Sequence, residues 1–166
     1  MNLITRTALA SDAKSITDIV NPIIESGRYV ILDSTFSVSD QSFFIQYFPV
    51  NGVFLVAEDH DSKTVLGYQT VEPYASYSRA LDHVGIITTY VEEKHHRQGV
   101  ATSLFASTLD IARSRGFEKL VAQVRADNET ALHVYLKHGF EVSGRAKNHA
   151  KIGGKYIDEI TLELFL

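Results

Sequence analysis

The stretch from Glu92 to Gly116, EEKHHRQGVATSLFASTLDIARSRG, carries residues suited to binding an anion, because a loop containing Gly99 opens directly into a helix-forming run. Backbone N–H groups at a helix start lack intrahelical partners and sit at the positive end of the macrodipole, so a diphosphate can be held there with little side-chain help. Gly99 is where the backbone can come closest to such a ligand. Glycine and small residues open many helices, so the loop needs a second element beside it. That element is the segment Arg125 to Gly144, where Asn128, Ala131, Tyr135 and the Gly139-Phe140 pair stand in the order NxxAxxxYxxxGF, directly after the alternating apolar run Lys119 to Val124. Tyr135 has two readings, a core tyrosine on an apolar helix face or a phenolic acid at a reaction site. Asn128 is equally a good helix cap.

Together these two segments resemble the signature of the GNAT superfamily of N-acetyltransferases, whose members bind acetyl-CoA and acetylate amines. The family's pyrophosphate loop reads Gln or Arg, two residues, Gly, any residue, then Gly or Ala. Here it is His96-Arg97-Gln98-Gly99-Val100-Ala101, with His in the first place. Ile4 to Asp12 is similar to the family's opening IRxAxxxD. Ile19-Val20-Asn21 to Ile24, and Gly154 to Asp158 with Leu162 and Leu164, resemble the phosphinothricin acetyltransferase-like branch. The resemblance covers nearly the whole chain and is weakest from Gly27 to Phe48.

The resemblance implies an α/β fold: a single GNAT domain over residues 1–166, with a mixed, mostly antiparallel sheet of about seven strands, helices on both faces, and a splayed parallel strand pair at the acetyl-CoA site. It implies acetyl-CoA as co-substrate, a small amine as acceptor and a homodimer. The residues it assigns to acetyl-CoA are Tyr90, Val91, Arg97, Gln98, Gly99, Val100, Ala101, Thr102, Asn128 and Tyr135, with Tyr135 as acid for the departing thiolate. The transfer requires a polarised thioester carbonyl, a neutral amine and a proton for the leaving sulphur. In the phosphinothricin-like branch a glutamate on the fourth strand serves as base; aligning the branch's Tyr-Val pair with Tyr90-Val91 puts Ile86 in its place. Ile cannot take a proton, and its same-face neighbours Thr88 and Tyr90 are poor bases near neutral pH. Glu72 at the end of the third strand and His83 ahead of the fourth rank first as replacements; Asp82 and a chain of waters to solvent are the other routes. A substrate site is expected from Tyr29 to Phe36, Tyr74 to Arg79 and Lys151 to Tyr156. A non-catalytic acyl-CoA sensor and a peptide or protein acetylase are the alternative functions.

Composition bounds the remaining possibilities. The chain has 166 residues, 45% of them hydrophobic, which suits one domain with a sizeable core. A net charge of −4 without a basic run argues against nucleic acid and anionic membrane as partners. With no cysteine the acyl group must pass directly to the amine. No leader-like or membrane-spanning apolar block is read, so a cytoplasmic setting is expected. His95-His96 and the His133, His138 pair lack the spacing of a zinc site, so no metal is implied; Gly153-Gly154-Lys155 and the glycine pattern fit neither ATP nor NAD loops.

The elements that must position these residues follow from periodicity. A strand is expected over 2–8, then a helix capped by Ser11 or Asp12 with Ile16, Ile19, Val20 and Ile23 on one face and a bend at Pro22. A second helix is expected from Ser39 to Phe48, capped by Ser39 or Asp40. Strands follow at Val53 to Asp59, Thr64 to Pro73 and Val84 to Glu92. The helix after Gly99 carries Val100, Leu104, Thr108 and Ile111 at helical spacing and stops at Gly116. Strand 119–125, helix 129–138 and strands near 140–149 and 155–165 complete the set. A strand, helix, strand order around the loop predicts a parallel pair within an antiparallel sheet.

Overall fold

A computed structural model of the chain describes residues 2–166. Seven strands form one sheet in the order β1 (Leu3–Thr7), β2 (Val53–Asp59), β3 (Thr64–Pro73), β4 (Val84–Val91), β5 (Lys119–Arg125), β7 (Lys155–Phe165), β6 (Glu141–Ile152). Every neighbouring pair is antiparallel except β4 with β5. That pair needs a crossover, which the helix α3 (Val100–Ser114) supplies. Two further helices, α1 (Ala13–Glu25) and α2 (Val38–Gln46), precede β2, and α4 (Glu129–Lys137) joins β5 to β6.

Alternation along the strands sends side chains to two separate cores. Ile16, Ile19, Val20 and Ile24 of α1 pack on Phe54, Val56 and Tyr68. On the opposite face Leu104, Phe105 and Ala112 of α3 pack with Leu55, Leu66, Val71, Ile87 and Leu120, and Tyr135 and Phe140 join them. Each fully buried Leu, Ile or Phe contributes about 1.5–3 kcal/mol.

Local chemistry shifts three boundaries. The cap of α2 is Ser37, not Ser39 or Asp40: its hydroxyl accepts from Asp40 N–H at 3.0 Å while Asp40 accepts from Ser37 N–H, a capping box with Asp40 as its third residue. A short 3-10 turn, Ala10–Asp12, precedes α1, so the Asp12 carboxylate caps no α1 N–H; it accepts from Leu9 N–H at 2.8 Å and pairs with Arg6 at 2.7 Å. Strand β6 runs on to Ile152, past the expected end near 149, because a register shift between Ala146 and Ala150 absorbs the extra residues and lets pairing with β7 resume.

The decisive feature is where β4 and β5 part. They pair only from Val84↔Lys119 to Ile86↔Val121, whereas β4 stays paired with β3 out to Val91 and β5 with β7 out to Arg125. Beyond Ile86 the sheet therefore opens into a wedge, one wall of which is the unpaired edge of β4. Gly67 lets β3, β4 and α3 meet beside it, since a Cβ there would lie 2.7 Å from Tyr90 O and 3.1 Å from Val100 Cγ1. Gly67→Ala is accordingly expected to destabilise the fold by about 1–3 kcal/mol through overpacking, read as a lower urea midpoint. An unchanged midpoint would show that the strands can part at no cost.

Candidate active site

The loop from Glu92 to Gly99 crosses from the end of β4 to the start of α3. Arg97 (φ 61°) and Gly99 (φ 86°) both take the left-handed conformation, and Gly99 caps α3 with no side-chain bond to the helix start. The first intrahelical acceptance is Ser103 N–H on Gly99 O at 2.9 Å, so the N–H groups of Val100, Ala101 and Thr102 point out of the helix start without intrahelical partners. Such a row of backbone donors in a concave loop has the form of an anion cradle. A Cβ on Gly99 would meet only Leu3 Cδ1 at 4.0 Å, so its glycine is favoured by the positive φ and not by protein packing.

His96 stands where the family has Gln or Arg, and its task here is internal. Its Nε2–H donates to Val91 O at 3.0 Å, tying the loop back to the last residue of β4. Gln98 turns the same way, donating to Lys94 O at 2.9 Å. Among the described residues the Arg97 side chain has no ion-pair partner, and it remains available to a phosphate.

Tyr135 reaches the wedge from α4. Its ring is fixed edge-on by Phe105 (5.5 Å between centroids) and Phe140 (5.1 Å), and its hydroxyl lies 3.1 Å from Thr89 Oγ1, on the β4 segment that β5 has left. Both readings of this tyrosine thus hold together: a core ring with its polar end at the gap. Burial pushes the phenol well above its ordinary range, and the Thr89 hydrogen bond draws it partly back. It is therefore protonated at neutral pH and can give a proton.

The candidate bases separate by position. His83 is exposed at the closed end of the β4–β5 pair, with its carbonyl accepting from Glu118 and Lys119 N–H, about 16 Å along the strand from Thr88 at 3.3 Å per residue. Asp82 is exposed beside it. Glu72 instead lies directly across from Ile86, at the last rung before the wedge. Opposed residues of an antiparallel pair share a face. Glu72 therefore stands where a side chain from position 86 would have projected, together with Thr70, Thr88 and Tyr90. It forms no ion pair among the described residues, and burial raises its carboxyl above the ordinary glutamate range. Partial burial, with Glu72's charge adding to it, pushes the Tyr90 phenol up to about 12.

Between the α1–α2 loop, the end of β5 and the β6–β7 hairpin a cavity of about 430 Å³ is lined by Arg28, Tyr29, Arg125, Asp127, Ile152 and Lys155. It brings together two of the three expected substrate segments; Tyr74 to Arg79 lies apart from it, between β3 and β4. Arg125, missed in the sequence, organises the cavity: it is 5% exposed, bonds Asp127 at 2.7 and 2.9 Å, and donates to Gly27 O at 2.7 Å and Val30 O at 3.2 Å. Asn128 does double duty, accepting from Ala131 N–H at 3.1 Å as the cap of α4 and donating to Tyr29 O at 3.0 Å. The β5–α4 turn thus clamps the loop between α1 and α2.

A wedge with an anion cradle at its mouth is the setting for an extended nucleotide thioester, and the GNAT acetyltransferase domain matches residues 6–161 of the chain. The chain belongs to the GNAT acetyltransferase family. As a GNAT enzyme it is an acetyl-CoA-dependent N-acetyltransferase. The phosphinothricin N-acetyltransferase of Streptomyces coelicolor is 23% identical over 158 residues, 92% of this chain and 90% of that protein. The L-amino acid N-acyltransferase MnaT of Escherichia coli is 22% identical over 161 residues, 97% of this chain and 92% of that one. A GNAT superfamily phosphinothricin acetyltransferase from Sinorhizobium meliloti, solved with acetyl-CoA, shares the fold: the TM-score is 0.91 at 20% identity, over 100% of this chain and 89% of that one.

Two outcomes follow from this geometry. CoA should raise the melting temperature of the native protein, and Gly99→Asp, which adds negative charge and disfavours the left-handed φ, should abolish the shift; a full shift in folded Gly99→Asp would remove the cradle from the phosphate site. Arg125→Met should cost about 2–4 kcal/mol in chemical denaturation by leaving the Gly27 and Val30 carbonyls unpaired, and loss of less than about 0.5 kcal/mol would mean the loop is held by other contacts.

Proposed function

We propose that the enzyme acetylates the amine of a small, amino-acid-like molecule, with Glu72 as base and Tyr135 as acid on opposite faces of the sheet. The carrying observation is the Glu72↔Ile86 register at the apex of the wedge, which sets a carboxylate beside the position where the branch has glutamate and this chain has Ile. Arg97 and the N–H groups of Gly99 to Thr102 hold the diphosphate of acetyl-CoA. The β4 edge around Tyr90 and Val91 takes its pantetheine arm, with Gln98 and Asn128 shaping the two ends of the wedge. Cations at Arg28 and Lys155 in the cavity suit a substrate carboxylate, and the cavity volume lies within the range of small-molecule sites. The names of the relatives from Streptomyces coelicolor and Escherichia coli support the same substrate class.

In this mechanism Glu72 takes a proton from the bound ammonium and passes it to solvent. The neutral nitrogen attacks the thioester carbon and loses its second proton by the same route. As the C–S bond breaks, its electron pair goes to sulphur and Tyr135 supplies the proton, leaving the amide and the free thiol. Tyr135 is reprotonated from water. One proton is released to solvent per turnover.

The test is a panel of the twenty L-amino acids and phosphinothricin with detection of free thiol. Glu72→Gln should lower kcat at pH 7 by about 10²-fold and erase the acidic inflection of the rate profile, as loss of a general base does. The sign of the stability change is opposite. Because the folded-state carboxyl is raised, the fold favours its protonated form; that contribution is complete below the unfolded glutamate pKa of about 4.3 and is lost as pH rises through the folded value. Glu72→Gln should therefore melt higher than native at pH 7, with the gap closing toward pH 4. Equal kcat in both proteins would sink the assignment of the base.

A further inference from the structure

Behind Tyr135 the α3 face of the sheet holds a polar chain that the reaction as described leaves unused. Gln69 on β3 is wholly buried and lies directly across from Thr89 on β4. Its Nε2 donates to Thr89 Oγ1 at 2.8 Å, and Thr89 Oγ1 is 3.1 Å from the Tyr135 hydroxyl. The carbonyl Oε1 of Gln69 is buried with no partner. A buried glutamine in an apolar core is costly, so its orientation carries meaning.

In the observed orientation one amide N–H is bonded to Thr89 and the amide oxygen is the atom left without a partner. An under-satisfied carbonyl is the more tolerable orphan, which fixes Nε2 on Thr89. A hydroxyl has one proton and two acceptor sites. With one acceptor site filled by the Gln69 N–H, the Thr89 proton is free to go to its other hydrogen-bond partner among the described residues, the Tyr135 oxygen. Tyr135 then accepts from Thr89, and its own proton must point elsewhere.

We propose that Gln69 and Thr89 are positioning residues that commit the Thr89 proton to the Tyr135 oxygen and thereby aim the Tyr135 proton into the wedge between β4 and β5. The inference rests on Tyr135 acting as the acid. As the C–S bond breaks, the Tyr135 proton moves to sulphur, and the phenolate left behind keeps the Thr89 hydrogen bond until water reprotonates it. Thr89 and Gln69 lose no proton at any stage. The direction of the Thr89 effect on the Tyr135 phenol, against that of burial, is the direction that makes Tyr135 a stronger acid.

The experiment is a double-mutant cycle on the amine of the panel with the highest kcat/KM. Thr89→Val, which keeps shape and removes the hydroxyl, should lower kcat about tenfold with the KM for acetyl-CoA unchanged, and Thr89→Ser should restore kcat to within about twofold. Gln69→Met should give a smaller fall by freeing the Thr89 proton to point either way. In the Tyr135→Phe background, itself slowed about 10²-fold, neither change should have any further effect, since the group they orient is gone. A native kcat in Thr89→Val, or losses that multiply with Tyr135→Phe as a purely structural defect would, overturns the proposal. Should Thr89→Val not fold, Gln69→Met in the two backgrounds decides the same question. A native rate in Tyr135→Phe, or no turnover anywhere in the panel, would fell the parent reading and the proposal with it. A slow Tyr135→Phe beside an unaffected Thr89→Val fells the proposal alone.

Discussion

The early parting of β4 from β5 is the constraint on which the rest of the molecule depends. A parallel pair is held by slanted, slightly weaker bonds, and here it is allowed three rungs before each strand follows its antiparallel neighbour away. The parted edges present backbone groups that folded proteins seldom leave unsatisfied. One of them, the Val91 carbonyl, takes the His96 N–H at 3.0 Å. Thr89 and Tyr135 close part of the gap from one face, their hydroxyls 3.1 Å apart.

Because the wedge passes through the sheet, chemistry can be divided between its two faces. The period-two alternation of β4 sends Thr89 toward α3 and α4, where a buried phenol is kept protonated, and Thr88 and Tyr90 toward α1, beside the carboxylate of Glu72. Burial acts on both groups in the same sense, raising each. For the phenol this maintains an acid, and for the carboxylate it makes a stronger base. One physical effect thus suits the two groups to the opposite roles proposed for them.

The two ends of the site are coupled by hydrogen bonds over long sequence separations. Arg125 at the end of β5 and Asn128 at the start of α4 hold the carbonyls of Gly27, Tyr29 and Val30, so the turn that delivers Tyr135 also shapes the wall of the cavity. His96 plays the corresponding part at the other end, fastening the diphosphate loop to the last residue of β4. Neither link needs a residue of special reactivity. Each depends on a polar side chain meeting a main-chain carbonyl that the fold would otherwise leave unpaired.

Local patterns in the sequence determined the elements and one wall of the site. Apolar spacing marked α1 and α3 and alternation marked β2 to β5, because such patterns are set by residues close in the chain, while the Gly99 loop and the Asn128 to Phe140 run pointed to an anion site and to Tyr135 through their resemblance to the GNAT signature. The base was narrowed to a short set, with Ile86 known to be the wrong residue in the right place. What the sequence left open depended on register and on contacts between distant segments: that Glu72 stands across from Ile86 while His83 lies at the closed end, that Gln69, Thr89 and Tyr135 form a chain, and that Arg125 is buried under the α1–α2 loop. A slip of one residue between β3 and β4 would have moved Glu72 to the other face of the sheet, and no local preference forbids that slip. Only the packing of both sheet faces at once fixes it, so the placing of Glu72 across from Ile86 was a tertiary decision.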